Sequence, residues 1–142
     1  MNTSTASVWQ GQRRRIYMQE VGTRDGLQME SVFVPTEDKI KLVNALSDTG
    51  LAKIEVTSFV SPKAIPALRD AEIVMREITR KPGVIYSALV PNVRGVERAI
   101  DIAREYAQKG RHPVYTDGPL IHNRQMMEVL TAEGIREVGD YR

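Results

Sequence analysis

The chain contains no cysteine. That absence excludes thiolate nucleophiles, disulfides and any iron–sulfur cluster held by cysteine ligands. Long hydrophobic runs are missing as well: none approaches the roughly 20 apolar residues of a membrane-spanning helix, so no membrane partner is expected. Charge of one sign is nowhere in large excess. Twenty Lys and Arg against 18 Asp and Glu leave a net charge of +2, and a sequence pI near 9.0 is only a weak pull toward anions, too weak for a nucleic-acid partner. The one local cluster, Arg13, Arg14 and Arg15, reads as a solvated surface patch. The first dozen residues are polar and lack the apolar centre of a secretory leader, so residues 1–14 read as a flexible terminus and a cytoplasmic address is the expectation.

What is present fits a globular α/β protein of 142 residues, 42% hydrophobic and 27% charged. Residues 16–20 form a short strand that runs into "VGTRDGLQ", where Gly22 and Gly26 punctuate a turn. Thr36 is the expected N-cap of a helix whose apolar positions Ile40, Leu42, Val43 and Leu46 recur at helical spacing until Gly50. "AKIEVTSFV" is a β-branched strand, "SPKAIP" a loop, and a second helix is expected over 69–79 until "KPG" breaks it. "VIYSALV" is a third strand. A long amphipathic helix follows over 91–110, then a strand at 113–116, a helix from Asn123 to about Gly134, and a further strand at "IREV". The β, α, β, α, β, α order, with helices of crossover length, predicts a parallel sheet.

In such folds the chemistry sits at the carboxyl ends of the strands, where the βα loops vary over a fixed scaffold. Arg24 and Asp25 fall in one of these loops. Glu55 lies inside the second strand, where an ionised carboxylate needs a partner, and Arg24 is the natural one. An arginine fork can stabilise negative charge on a carbonyl oxygen, and an aspartate beside it can hold a divalent cation. An adjacent Arg and Asp in a turn are, taken alone, more often solvated or self-paired charges.

"VGTRDGLQ", then "IEVTSFVSPKAIP", then "YSALVPNVRGVERA" closely resembles the hydroxymethylglutaryl-CoA lyase family over about 15–101. The resemblance implies a metal-dependent (β/α)8 TIM barrel, an acyl-CoA substrate, and retro-aldol cleavage of hydroxymethylglutaryl-CoA to acetoacetate and acetyl-CoA. It implies that Arg24 polarises the substrate carbonyl and binds substrate, that Asp25 is a ligand of Mg²⁺ or Mn²⁺, and that Glu55 is the active-site glutamate of the second strand. Gln28, Ser58 and Lys63 match the same segments without an assigned role. A complete barrel takes on the order of 250 residues. The family's His-x-His pair, late asparagine and C-terminal cysteine have no counterpart here, since the only histidines are His112 and His122. The metal is therefore expected to bind weakly if at all.

From Gly95 to Arg142 the sequence resembles a different family, 4-hydroxy-3-methylbut-2-enyl diphosphate reductase of isoprenoid synthesis, through "RAIDIA", "PVYT" and "GPLIHN". That resemblance implies a phosphate-contacting role for His122, although a surface histidine is the better reading of the residue by itself. The position of the reductase's cluster cysteine is taken by Val93, so no iron–sulfur cluster is expected. "GVERAID" satisfies both patterns, which points to a chimera joined within the long helix. The fold expected is an α/β, partial (β/α)8 TIM-barrel-like parallel sheet over 15–101 with a foreign βαβ-like segment over 102–142. The outer edge of its third strand should be filled by the strand near 114–116 or stay open to self-association. Three functions remain: a lyase, a reductase fragment, or a truncated or fused chain of lyase kind without activity, the last being favoured.

Overall fold

The computed structural model describes residues 16–108, 115–117 and 136–138. The expected terminus at 1–14, the Arg13–Arg15 cluster, both histidines and the helix expected from Asn123 lie outside those residues. Three parallel strands, β1 (Gln19–Glu20), β2 (Lys53–Ser58) and β3 (Ile85–Leu89), form one sheet in the order β1-β2-β3. The helices α1 (Thr36–Ser47), α2 (Ala71–Glu77) and α3 (Val93–Gln108) alternate with them. A strand that must be followed by a helix before its parallel neighbour is the (β/α) repeat expected from the sequence.

One face of the sheet carries the core. Ile54 and Val56 alternate on β2 and are buried with Val43 of α1, Ala71, Val74 and Met75 of α2, and Ile102 of α3. Each of the Val, Ile and Met side chains contributes about 1.5–3 kcal/mol through removal from water. Between Glu55 and Thr57 the β2–β3 register shifts by one residue. Such a bulge bends the strand and re-aims its side chains near the carboxyl end.

Among the described residues the long helix packs against what precedes it. The side-chain oxygen of Asn92 accepts a hydrogen bond from the Gly95 N–H at 2.9 Å, capping the first turn of α3. Val96, Ile100 and Ile102 are buried, and Arg98 reaches back to donate to both carboxylate oxygens of Glu72 on α2, at 2.5 and 2.8 Å, and to the carbonyl of Val60 at 3.0 Å.

Several boundaries differ from those expected. β1 pairs only through Gln19 and Glu20, and Ile16, Tyr17 and Met18 ahead of it are exposed. Thr36 is the first residue of α1 rather than its cap, because its hydroxyl donates to the Asp70 carboxylate at 2.8 Å. The second helix is shorter than expected: residues 66–68 form a separate 3₁₀ turn before α2, started by Pro66, whose ring fixes a helical φ but removes a donor. Gly50 and Gly83 take φ values of 85° and 81° in the turns before β2 and β3, the left-handed conformation that glycine adopts without strain. β4 (Tyr115–Asp117) pairs in parallel with β5 (Arg136–Val138) and not with β3. Among the described residues, β1 and β3 are thus the open edges of the main sheet. No described helix is long and apolar enough to cross a membrane.

Candidate active site at the carboxyl end of β1 and β2

The chain leaves β1 through a tight π-helical turn over Gly22–Gly26. Two local bonds shape it. The Gly22 N–H donates to the Glu20 carboxylate at 2.5 Å, and the Asp25 N–H to the Val21 carbonyl at 2.7 Å. A Cβ on Gly22 would meet that carboxylate oxygen at 2.8 Å, the free end of a side chain that can swing aside. Thr23 is buried, and its hydroxyl donates to the backbone carbonyl of Glu55 at 2.6 Å. That bond fastens the turn to the middle of β2.

Arg24 and Glu55 meet as a consequence. Nε of Arg24 lies 2.5 Å from Oε1 of Glu55, and Nη1 of the same guanidinium lies 2.8 Å from Oδ1 of Asp25. The arginine and glutamate side chains are 18% and 17% exposed, whereas Asp25 is 59% exposed. One cation is therefore held by a sheltered carboxylate on one side and a solvated one on the other. Charge-assisted bonds of this kind are short and fix the guanidinium plane. The structure brings Arg24, Asp25 and Glu55 together where β1 ends, alongside the middle of β2.

The other sequence candidates are placed apart from that trio. Ser58 is fully buried and its hydroxyl accepts from the Val60 N–H at 3.2 Å, a local turn bond. Lys63 is exposed on the loop after β2. Gln28 lines a shallow cleft of about 320 Å³ between the loops after β1 and β2, with Phe33, Ile65 and Arg69. Val93 opens α3, and His122 lies outside the described residues.

Among the described residues no three His, Asp or Glu side chains converge to hold an ion, and Asp25 is the one carboxylate of the trio exposed to solvent. A six-oxygen shell needs more than this. The described residues do not by themselves fit a resident divalent cation.

Two features of the site were not singled out from the sequence. Thr23 anchors the turn through a main-chain acceptor 32 positions away, a pairing that only the fold creates. Ser87 stands opposite Glu55 in the β2–β3 register, and its buried hydroxyl oxygen has no hydrogen-bond partner.

Comparison with known proteins places this geometry. The profile of the HMGL-like family matches residues 15–138, and so runs on through most of the segment read above as reductase-like. A hydroxymethylglutaryl-CoA lyase of Bacillus subtilis is 48% identical over 122 residues, covering 86% of this chain and 39% of the relative. A mouse 3-hydroxy-3-methylglutaryl-CoA lyase is 50% identical over 95 residues, covering 67% of this chain and 28% of that protein. The structure of the Brucella melitensis HMG-CoA lyase superposes with a TM-score of 0.66 at 36% identity, over 87% of this chain and 47% of the other. An Acinetobacter baumannii HMG-CoA lyase in complex with coenzyme A and 3-methylmalate gives a TM-score of 0.59 at 53% identity, over 61% of this chain and 28% of that one. The chain spans well under half the length of the curated relatives it matches. With the β/α repeat and a profile match over most of its length in agreement, the chain belongs to the HMGL-like family.

Proposed function

We propose that the chain is part of a divalent-metal-dependent hydroxymethylglutaryl-CoA lyase, and that it has no lyase turnover by itself. The observation that supports this reading is the Arg24–Glu55 pair at the carboxyl end of β1 and β2, with Asp25 beside it. In retro-aldol cleavage the tertiary hydroxyl loses its proton, the adjacent C–C bond breaks, and its electron pair becomes an enolate on the acyl-CoA fragment. An arginine at that oxygen lowers the barrier because it is already oriented before charge develops. Arg24 is assigned that role and the substrate contact. Glu55 is assigned a supporting catalytic role, and in the ligand-free site it holds the guanidinium in plane.

Asp25 is assigned as one ligand of a Mg²⁺ or Mn²⁺ ion whose remaining donors the described residues do not supply, and no step is drawn through that ion. Groups that act as a unit lose nearly all their effect when part is missing. An acyl-CoA substrate is assigned by kinship with the relative crystallised with coenzyme A. A cytoplasmic location remains part of the proposal.

The reductase reading of 102–142, with His122 as a phosphate contact and the chain as a chimera, rests on "PVYT" and "GPLIHN". β4 and β5 fall close to the two strands expected there, but the family match to residue 138 favours the lyase. The test is acetoacetate release from hydroxymethylglutaryl-CoA in Mg²⁺ buffer, comparing the chain with Arg24→Ala. No release from either is expected. Metal-dependent release that disappears in the variant would show that the chain is an active lyase.

A further inference from the structure

We infer that Ser87 is the second, reserve partner of Glu55: a positioning residue that takes over the carboxylate when Arg24 turns toward a bound carbonyl. The inference rests on the lyase reading only for the event that draws Arg24 away. Strand order supplies the geometry. β2 is central, Arg24 comes from the turn after β1 on one flank, and Ser87 stands on β3 on the other, in register with Glu55. Register partners on adjacent parallel strands project from the same face of the sheet, about 4.8 Å apart. Glu55 therefore lies between two donors, one engaged and one idle.

The idle donor calls for an explanation. The Ser87 hydroxyl oxygen is buried without a hydrogen-bond partner, and a buried hydroxyl left unpaired costs free energy that native proteins rarely leave uncompensated. Two hydroxyls of the same part of the sheet are already committed, Thr23 to the Glu55 carbonyl and Ser58 to the Val60 N–H. Glu55 has the matching need. Its side chain is only 17% exposed, and its bond to Nε of Arg24 is the one that a ligand carbonyl would draw on. A sheltered carboxylate that lost that bond would be poorly solvated and unpaired. Because Glu55 and Ser87 are register partners, a glutamate released by the arginine has the serine hydroxyl as its neighbouring donor, and the serine's present cost is then recovered.

The test is a ligand-free double-mutant cycle by urea unfolding on the full chain, with Arg24→Ala standing for the departed guanidinium. Ser87→Ala alone should leave the folding constant unchanged or raise it slightly, because its hydroxyl bonds nothing. In the Arg24→Ala background the same change should lower that constant about fivefold, the loss of one hydrogen bond, and Ser87→Thr should not. Effects that simply multiply, or an equal loss from Ser87→Ala in both backgrounds, would overturn the inference. Should Arg24→Ala fail to fold, Arg24→Lys replaces it, and the readout is the ¹³C carboxyl resonance of Glu55, identified with Glu55→Gln. Ser87→Ala should move that resonance in the lysine background and not beside Arg24, and an unmoved resonance would refute the switch. No ligand is present, so the outcome is independent of the acetoacetate assay.

Discussion

Gly95 of α3 lies so close to the carbonyl oxygen of Phe59 that a Cβ in its place would be 2.8 Å from that oxygen and 3.1 Å from Cγ1 of Val90. The first of those atoms is backbone at the end of β2 and cannot swing aside. Alanine would gain about 0.5–1 kcal/mol in helix propensity, but overpacking of this kind costs about 1–3 kcal/mol. Gly95→Ala should therefore destabilise the chain by about 1–2 kcal/mol, read as a lower urea midpoint with an unchanged slope. A neutral or stabilising result would show that α3 does not sit against Phe59.

The Arg98–Glu72 pair predicts an acid limb of stability. The hydrogen bond from Arg98 holds the Glu72 carboxyl below its ordinary value of 4.5, against the opposing effect of burial. A carboxylate whose folded pKa is depressed stabilises the fold above its unfolded value, and that contribution is lost as pH falls through the folded one. The unfolding midpoint should thus hold steady down to about pH 5 and then fall, with Glu72 contributing to the loss. Glu72→Gln should lower stability at neutral pH and flatten the fall below pH 4.5. A fall of the same size in the variant would assign the acid limb to other groups.

The parts of the fold legible in the sequence were those with local causes. β2 and β3 read plainly because "KIEVTS" and "IYSAL" are β-branched or apolar runs bounded by turn residues. Arg24, Asp25 and Glu55 could be brought together because loops at the carboxyl ends of parallel strands share one rim, and because their motifs match a family. The extent of β1 was not legible, since a strand lasts only as long as its neighbour pairs with it, and here that is two residues. Thr36 looked like a cap because the true acceptor of its hydroxyl, Asp70, is 34 positions away. Ser87 carried no signal, because an orphaned hydroxyl is defined by what fails to surround it.

Magnesium titration bears on the proposed role of Asp25. One exposed carboxylate, already bonded to Arg24 at 2.8 Å, leaves most of an octahedral shell to water, so binding should be on the order of millimolar or weaker. Isothermal calorimetry should show no saturable heat at micromolar chain concentration. A dissociation constant of micromolar order or lower would show that further ligands are present.

Lys39 and Asp70 form the most deeply buried ion pair among the described residues, with side chains 4% and 6% exposed and 2.7 Å between the ammonium and Oδ1. The pair is saturated: Lys39 also donates to the Ala67 carbonyl at 2.6 Å and lies 4.2 Å from the Phe33 ring centre, and Oδ2 of Asp70 accepts from Thr36. The network ties the loop after β2 to α1, and Arg69 stacks 3.5 Å from the ring centre of the same Phe33, in the loop after β1. Removing one partner leaves a charge without compensation in a site that excludes water, a loss of about 3–5 kcal/mol. Asp70→Ala should therefore be among the most damaging single changes, and Lys39→Met nearly as costly. Replacing both charges with apolar groups of similar volume removes the uncompensated ion, so Lys39→Met/Asp70→Leu should be more stable than either single variant despite carrying both changes. Urea unfolding of the four proteins checks the order, and limited proteolysis should cut the single variants first within 59–70. Losses that add in the double variant would mean that Lys39 and Asp70 act separately, and that the loop after β2 is held by something else.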